Sequence, residues 1–303
     1  MPEINNFSQI VDHLRGLNQT KRVAVVCPYD EETLSAVVAA TDKHLITPIL
    51  IGELSRIQQI ATQVEPSALS YEIIATDSPD EAALKAVEMT RNGQADIVMK
   101  GLVNTDNLLR AILNKEHGIL PKGKLLTHLS VAQLPGYNKL LFFSDVAVIP
   151  YPTLEQRIEM INYNLDTCRK FGVVAPKVAL IHFTEKVNPK FQNSVDYATL
   201  VEMCNNGEFG NASIAGPMDV KTACDAHSAE VKGLSSDVCG NADLLIFPNI
   251  ESGNTFYKTI TLFGNAKIAG ILQGTSSPVI LSSRSDSADS KFYSLVLACV
   301  NAM

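Results

Sequence analysis

The sequence predicts an α/β protein with mainly parallel sheets. Short runs such as Arg22–Cys27 and Ala95–Met99 are apolar on both faces, which is typical of parallel strands covered by helices on both sides. Amphipathic segments with good capping residues alternate with these runs, for example Asp30 before 31–42 and Ser78 before 79–92. Strands that alternate with helices in this way indicate an open α/β sheet.

The alternation covers the chain with one interruption. Two strand-like runs, Leu125–Leu134 and Lys139–Ile149, are joined by Pro135-Gly136-Tyr137-Asn138 without an intervening helix, which predicts a hairpin and the start of a second lobe. The other predicted strands are 22–27, 46–51, 71–75, 95–99, 177–182, 212–215, 242–247 and a short run from Ser277. The predicted helices are 4–18, 31–42, 53–62, 79–92, 105–115, 153–171, 197–205, 223–232, 255–271 and a last helix after Arg284.

Composition narrows the class of protein. The chain has 303 residues, a hydrophobic content of 46% and a formal charge of −7, which together indicate a globular protein without a nucleic-acid surface. No apolar run approaches membrane-spanning length, and no signal peptide is evident, so we expect a cytoplasmic protein that does not bind a membrane. The six cysteines are scattered, as expected for free thiols in a reducing compartment.

Several loops at predicted strand ends carry polar or glycine residues, and such loops bind ligands in this class of fold. They contain Lys100-Gly101 with Thr105, Gly216-Pro217 with Asp219, Pro248-Asn249 with Gly253-Asn254, and Ser283-Arg284. Each has a structural alternative: Thr105 suits a helix N-cap, and Gly-Pro is a common turn. Four such loops together favour a binding cleft.

The loop after the last strand is the most suggestive. Its serines and Arg284 precede a helix, and arginine with free N–H groups forms a site for phosphate or carboxylate. The alternative is that Asp286 and Asp289 cap the last helix.

Common catalytic motifs are absent. There is no G-x-G-x-x-G, H-E-x-x-H or G-x-S-x-G, and no carboxylate cluster suggests a metal. The segment 118–124 has P-loop glycine spacing, but Leu125 stands where Ser or Thr must reach magnesium.

Taken together, the loops resemble those of the phosphate acetyltransferase/phosphate butyryltransferase family. The similarity runs through most of the chain and looks closer to the butyryl branch, as the Lys-Gly pair and the form of the last motif suggest. It is carried by Lys100-Gly101 with Thr105, Ser144-Asp145 with Pro150, Val187-Asn188-Pro189, Gly216-Pro217-Met218-Asp219, Lys232-Gly233, Gly240-Asn241-Ala242-Asp243, Phe247-Pro248, Gly253-Asn254 with Lys258, and Pro278 to Arg284.

This resemblance implies a two-domain α/β/α fold of the isocitrate/isopropylmalate dehydrogenase type. Residues 1–128 with 281–303 would form the first domain, residues 129–280 the inserted second one, and the active cleft would lie between them. It also implies reversible conversion of acyl-CoA and inorganic phosphate to acyl phosphate and free CoA, with direct attack of phosphate on the thioester.

Site residues also follow from the resemblance. Arg284 would neutralise phosphate, and Ser283 would donate a hydrogen bond to the thioester carbonyl or to phosphate. The family's acetyl branch has an aspartate six residues after the arginine, where this chain has Ser290, so the neighbouring Asp289 is the candidate acid or base. The substrate-binding candidates are Lys100, Gly101, Thr105, Gly253, Asn254 and Asp286, and no metal is expected.

Cofactors and partners are also expectations. The resemblance implies no permanently bound cofactor, with CoA as substrate or product, a homodimer or larger homo-oligomer, and a functional link to an acyl kinase. Three alternatives stay open: a phosphate acetyltransferase, a metal-dependent decarboxylating dehydrogenase on the same fold, and a non-catalytic acyl-CoA or phosphate-binding relative.

Overall fold

A computed structural model describes residues 3–303, which form two compact units. The terminal unit consists of residues 7–126 and 267–303. The central unit consists of residues 127–266 together with a short N-terminal segment that ends at Asn6.

The terminal unit holds strands in the order β3-β2-β1-β4-β11-β10. All neighbouring pairs are parallel except β10 with β11. Its elements are α1 (Phe7–Gly16), β1 (Lys21–Val26), α2 (Glu31–Asp42), β2 (Ile46–Gly52), α3 (Leu54–Val64), a 3₁₀ turn (Pro66–Ser70), β3 (Glu72–Ala75), α4 (Pro79–Arg91), β4 (Ile97–Lys100), α5 (Thr105–Ile112), β10 (Lys267–Gln273), β11 (Val279–Ile280) and α11 (Ala288–Asn301).

The central unit holds strands in the order β5-β6-β9-β7-β8. The predicted hairpin is confirmed, because β5 and β6 are antiparallel, with Ser130 opposite Phe143, while the remaining pairs are parallel. Its elements are β5 (Thr127–Gln133), β6 (Leu140–Ser144), α6 (Leu154–Lys170), β7 (Lys177–Ile181), α7 (Gln192–Asn205), β8 (Ser213–Met218), α8 (Val220–Cys224), α9 (Ala226–Val231), β9 (Leu244–Ile246) and α10 (Ile250–Leu262).

The predicted α/β class with mainly parallel strands is confirmed. Strands β1, β4 and β9 are buried along most or all of their lengths, as expected for strands covered by helices. The predicted helix caps at Asp30 and Ser78 are also confirmed, since their side chains accept hydrogen bonds from the backbone N–H groups of Thr33 and Glu81. Among residues 3–303, no helix is long and apolar enough to cross a membrane.

Two predicted helices are wrong. The predicted helix 255–271 ends at Leu262 and is followed by strand β10. The chain turns at Gly264 and Asn265, and Asn265 has a left-handed backbone with φ of 49°. The predicted helix 223–232 is two short helices, because Asp225 adopts an extended backbone and caps the second of them through Ser228.

The division into units differs from the predicted domains mainly at residues 267–280. These residues belong to the terminal unit, whereas the predicted boundary lay at 280/281. The reason is strand pairing: Leu272 of β10 lies opposite Val279 of β11, and β11 continues the parallel sheet beside Val98 and Met99 of β4.

Candidate functional site

The candidate site lies at the carboxyl ends of adjacent strands in the terminal unit. Strand β1 is followed in sequence by β2 and β3 on one side, and the chain then returns to place β4 on its other side. This reversal is a topological switch point, where open α/β sheets bind their ligands. Lys100 ends β4 at this point, and the loop with Ser283 and Arg284 follows the neighbouring strand β11.

Lys100 is buried, with only 3% of its surface exposed. Its Nζ donates long hydrogen bonds to the carbonyl oxygens of Gly101 (3.3 Å) and Ser282 (3.4 Å), and no carboxylate among residues 3–303 is bonded to it. Burial, followed by the positive charges of Arg284 and Lys291, lowers the pKa of Lys100 below its usual value, against the opposing effect of Asp30 and Asp286. The ammonium group is therefore short of negative partners.

Gly101 allows the loop after β4 to pass close to the loop after β1. Its backbone N–H donates to the carbonyl of Val26 at 2.8 Å. A Cβ atom at residue 101 would lie 2.4 Å from the carbonyl oxygen of Cys27 and 2.6 Å from that of Val26. No side chain fits there, so the glycine is explained by backbone packing beside the candidate site.

Arg284 is exposed and anchored at one end. Its Nη2 donates to the side-chain oxygen of Asn104, which is the N-cap residue of α5. Asn104 makes no side-chain capping bond to its own helix. Thr105 was expected as the cap, but it is the first helical residue and is exposed. The side chain at the N-cap position of α5 therefore binds Arg284 instead of capping its own helix.

Ser283 is exposed, and a carboxylate holds its backbone. The Ser283 N–H donates to Asp286 at 2.7 Å, and the Ser283 hydroxyl lies 3.1 Å from that of Ser285. Asp286 therefore braces the loop rather than capping α11. The cap of α11 is Ser287, which accepts from the backbone N–H of Ser290 at 3.3 Å.

Asp289 lies in the first turn of α11 and is exposed. Its carboxylate makes no hydrogen bond or ion pair within residues 3–303, and it is open to solvent. Ser290, at the position where the resemblance gives the acetyl branch an aspartate, donates its backbone N–H to the cap, and its hydroxyl lies 3.3 Å from that of Ser287.

Sequence reasoning missed a buried ion pair next to these residues. Lys291 is 3% exposed, and its Nζ donates to Asp30 at 2.8 Å and to the Thr33 hydroxyl at 3.2 Å. Burial raises the pKa of Asp30, but the hydrogen bonds from Lys291 and Thr33 outweigh burial and bring the pKa below its usual value. We call Lys100, Arg284 and Lys291 the cationic cluster.

Gly253 and Asn254 belong to the central unit, where they pack α10 against the loop after β6. A Cβ at residue 253 would lie 2.3 Å from the carbonyl oxygen of Asp145, and the Asn254 amide donates to the carbonyl of Val146 at 3.0 Å. These contacts explain both residues structurally. Across residues 3–303, no three His, Cys, Asp or Glu side chains cluster as metal ligands.

Comparison with known proteins identifies the family. Residues 74–299 match the model of the family described as phosphate acetyl/butaryl transferase, which is well over half of the chain. The chain belongs to this family. The predicted family resemblance is therefore confirmed.

Known proteins are similar to this chain over nearly its whole length. A phosphate butyryltransferase of Clostridium beijerinckii is 39% identical over 297 residues, which is 98% of each chain. A phosphate acetyltransferase of Thermotoga maritima is 34% identical over 98% of this chain and 99% of its own. The crystal structure of a branched-chain phosphotransacylase from Enterococcus faecalis has a TM-score of 0.82 at 30% identity, covering 93% of this chain and 99% of the other.

Proposed function

We propose that the chain reversibly transfers a short acyl group, butyryl or similar, from coenzyme A to inorganic phosphate. Family membership and full-length similarity to a phosphate butyryltransferase support this reaction. The observation in this chain that carries it is the unpaired, buried Lys100 beside the exposed Arg284. Together they provide positive charge at a topological switch point, where a phosphate ion would be attracted.

The proposed chemistry assigns one task to each side chain. Arg284 holds phosphate through its guanidinium fork, and the buried ammonium group of Lys100 adds a second positive charge. A phosphate oxygen attacks the thioester carbon, the new C–O bond forms and the C–S bond breaks. Ser283 donates a hydrogen bond to the carbonyl oxygen or to phosphate as negative charge grows there. Asp289 transfers the phosphate proton to the leaving thiolate, which yields acyl phosphate and free CoA.

The remaining candidates have supporting tasks in this proposal. Gly101 and Asp286 shape the loops that carry Lys100 and Ser283, and Thr105 begins the helix whose cap residue holds Arg284. Gly253 and Asn254, predicted to bind substrate, keep only a packing task in the central unit. The predicted cleft between the two domains stays a prediction.

The decisive experiment removes Arg284. Wild-type protein is incubated with butyryl-CoA and phosphate, and free thiol is measured. Arg284→Ala should lower kcat/KM by at least about a hundredfold, the scale expected when one charge stabiliser is lost. Arg110→Ala is the matched control, because Arg110 is an exposed arginine of the same unit whose ion pair to Asp80 spans 3.6 Å. Equal activity of the two variants would contradict the proposal.

The acyl group is proposed to be butyryl or a similar short chain. The butyryltransferase named above is 39% identical and the acetyltransferase 34%, which favours the butyryl branch. A series from acetyl-CoA to hexanoyl-CoA, with isobutyryl-CoA included, would test this. A highest kcat/KM with acetyl-CoA would instead favour phosphate acetyltransferase.

A non-catalytic relative is the second candidate, because Ser290 stands where the acetyl branch has an aspartate, and its backbone N–H donates to the helix cap. Tight CoA binding by wild-type protein without thiol release would support it. The predicted homo-oligomer, the link to an acyl kinase, the absence of a permanent cofactor and the cytoplasmic location stay predictions. Light scattering of the purified protein would test the first of these.

A further inference from the structure

The central unit contains a large pocket that none of the proposed catalytic residues lines. Its volume is about 940 Å³, within the range of small-molecule sites. It lies at the carboxyl ends of three mutually parallel strands, since His182 follows β7, Asp219 follows β8 and Phe247 follows β9. Ligands bind at this end of parallel sheets.

Exposed aromatic rings form one wall of the pocket. Phe183 is 70% exposed and Phe191 is 40% exposed, although both are large apolar side chains. His182 stacks on Phe183, with ring centroids 4.5 Å apart and an interplanar angle of 28°, and Phe191 meets Phe183 edge-on at 5.0 Å. A planar ligand that stacked on Phe183 would extend this arrangement and bury its exposed surface.

A buried arginine orients a polar group at the same pocket. Arg157 is 1% exposed, and its guanidinium donates to the carbonyl oxygens of Phe247 (3.3 Å) and Pro248 (3.0 Å) and to the side-chain oxygen of Asn193. Arginine has only donors, so the Asn193 oxygen is fixed toward it. Asn193 lines the pocket, and its remaining polar group is the N–H₂ donor.

These features select the chemistry of the ligand. Stacking on Phe183 requires a flat ring, and the Asn193 donor requires a ring acceptor such as a purine nitrogen. The pocket lining holds one lysine, Lys190, and two carboxylates, Asp219 and Glu251, which already accept hydrogen bonds from neighbouring side chains, so Lys190 is the cation left for a phosphate group. The pocket is also far larger than a four-carbon acyl chain needs.

We propose that this aromatic pocket binds the adenine nucleotide moiety of a ligand. The moiety could come from CoA, in which case the inference rests on the proposed function, or from a free nucleotide. The shared chemistry is a purine ring stacked on Phe183 with its phosphates beside Lys190.

Binding can be tested without turnover, so its result is separate from that of the proposed function. Calorimetric titration with adenosine 3′,5′-bisphosphate and with AMP should show binding by wild-type protein. Phe183→Ala should weaken it about tenfold, the scale of base stacking on an aromatic ring. Phe263→Ala is the matched control, because Phe263 is 78% exposed in the same unit and does not line the pocket.

A second variant tests the polar contact. Asn193→Asp keeps an oxygen for Arg157 but removes the N–H₂ donor, so it should also weaken nucleotide binding while Phe263→Ala does not. The assignment would be overturned if wild-type protein bound neither nucleotide. It would also be overturned if Phe183→Ala bound the nucleotides as tightly as wild type.

Kinetics separate the two sources. If the moiety belongs to CoA, Phe183→Ala raises KM for butyryl-CoA about tenfold and leaves KM for butyryl-pantetheine unchanged, and adenosine 3′,5′-bisphosphate competes with butyryl-CoA. If it belongs to a free nucleotide, AMP binds without such competition. An equal rise of KM for both thioesters would overturn the assignment, since the pocket would then hold the pantetheine or acyl end.

Discussion

Lys100 and Lys291 are both 3% exposed in the terminal unit, but their surroundings differ. Lys291 donates to the Asp30 carboxylate at 2.8 Å and to a hydroxyl. Lys100 has two carbonyl oxygens at 3.3 and 3.4 Å and no bonded carboxylate in the described part of the chain. Buried charges are normally paired, because an unpaired one loses its hydration without compensation. The comparison separates a lysine that is paired within the fold from one that lacks a bonded carboxylate, and in the proposed function phosphate would supply the missing negative charge.

The largest expected effect is on the paired lysine. Lys291→Met should lower the free energy of unfolding by about 3–5 kcal/mol, because it leaves Asp30 without its buried partner. Urea unfolding of wild type and variant would measure the loss. The double variant Asp30→Asn/Lys291→Met keeps a capping side chain for α2 and should recover part of it. A double variant as unstable as the single one would show that the two charges are not coupled.

The unpaired lysine should behave in the opposite way. Lys100→Met should reduce kcat/KM by about a hundredfold, as expected for loss of a group that stabilises developing charge. Its free energy of unfolding should stay unchanged or rise, because a desolvated charge is removed. Thiol release and urea unfolding measure the two effects. Lys85→Met, at an exposed lysine of the same unit, should change neither. A Lys100→Met variant as destabilised as Lys291→Met would remove the distinction.

A smaller effect concerns pH. Because the pKa of Lys100 is lowered in the folded state, the unfolded chain binds more protons at pH values between that pKa and the usual lysine pKa of ~10.4. At pH values below the folded-state pKa, burial of the charged lysine destabilises the fold in full. As the pH rises through this window the destabilisation falls, so the stability of the protein increases. The unfolding free energy of wild type minus that of Lys100→Met should increase over that range.

Phosphate should reduce this rise, because a bound anion favours the charged lysine and brings its pKa back toward the usual value. Unfolding curves with and without phosphate, at matched ionic strength, would measure the difference. A phosphate-independent pH profile would argue that no anion binds beside Lys100.

The smallest effect is expected at the exposed carboxylate. Asp289→Asn should reduce kcat about tenfold, less than the usual range for a buried acid or base, because water can replace an exposed group. Asp289→Asn/Ser290→Asp restores an acid at the family position and should recover activity. If Asp289→Asn is fully active, another group carries the proton.

The sequence was sufficient for features that depend on nearby residues. The caps at Asp30 and Ser78 each involve a partner three residues away, and the hairpin between β5 and β6 depends on a short turn. The prediction of helix for 263–271 is wrong because a short apolar run is compatible with either periodicity. The stop at Asn265 depends on a left-handed backbone, which residue type alone does not dictate.

Features that depend on distant residues could not be predicted. Asp30 and Lys291 are 261 positions apart, so nothing local marks them as a pair. Asn104 has the side chain of a good cap, but its oxygen accepts from Arg284, which is 180 positions away. Phe183 and Phe191 carry no motif in the sequence, and only the folded chain places their exposed rings at one pocket.

The order of synthesis has a consequence for the contact between Lys100 and Ser282, which are separated by 182 positions. At typical translation rates of about 5–20 residues per second, Ser282 emerges on the order of ten seconds or more after Lys100. Residues 127–266 are made in that interval. The cationic cluster therefore cannot assemble on a nascent chain until β11 and α11 have been synthesised, and a chain that stopped after residue 280 would lack Arg284 and Lys291 altogether.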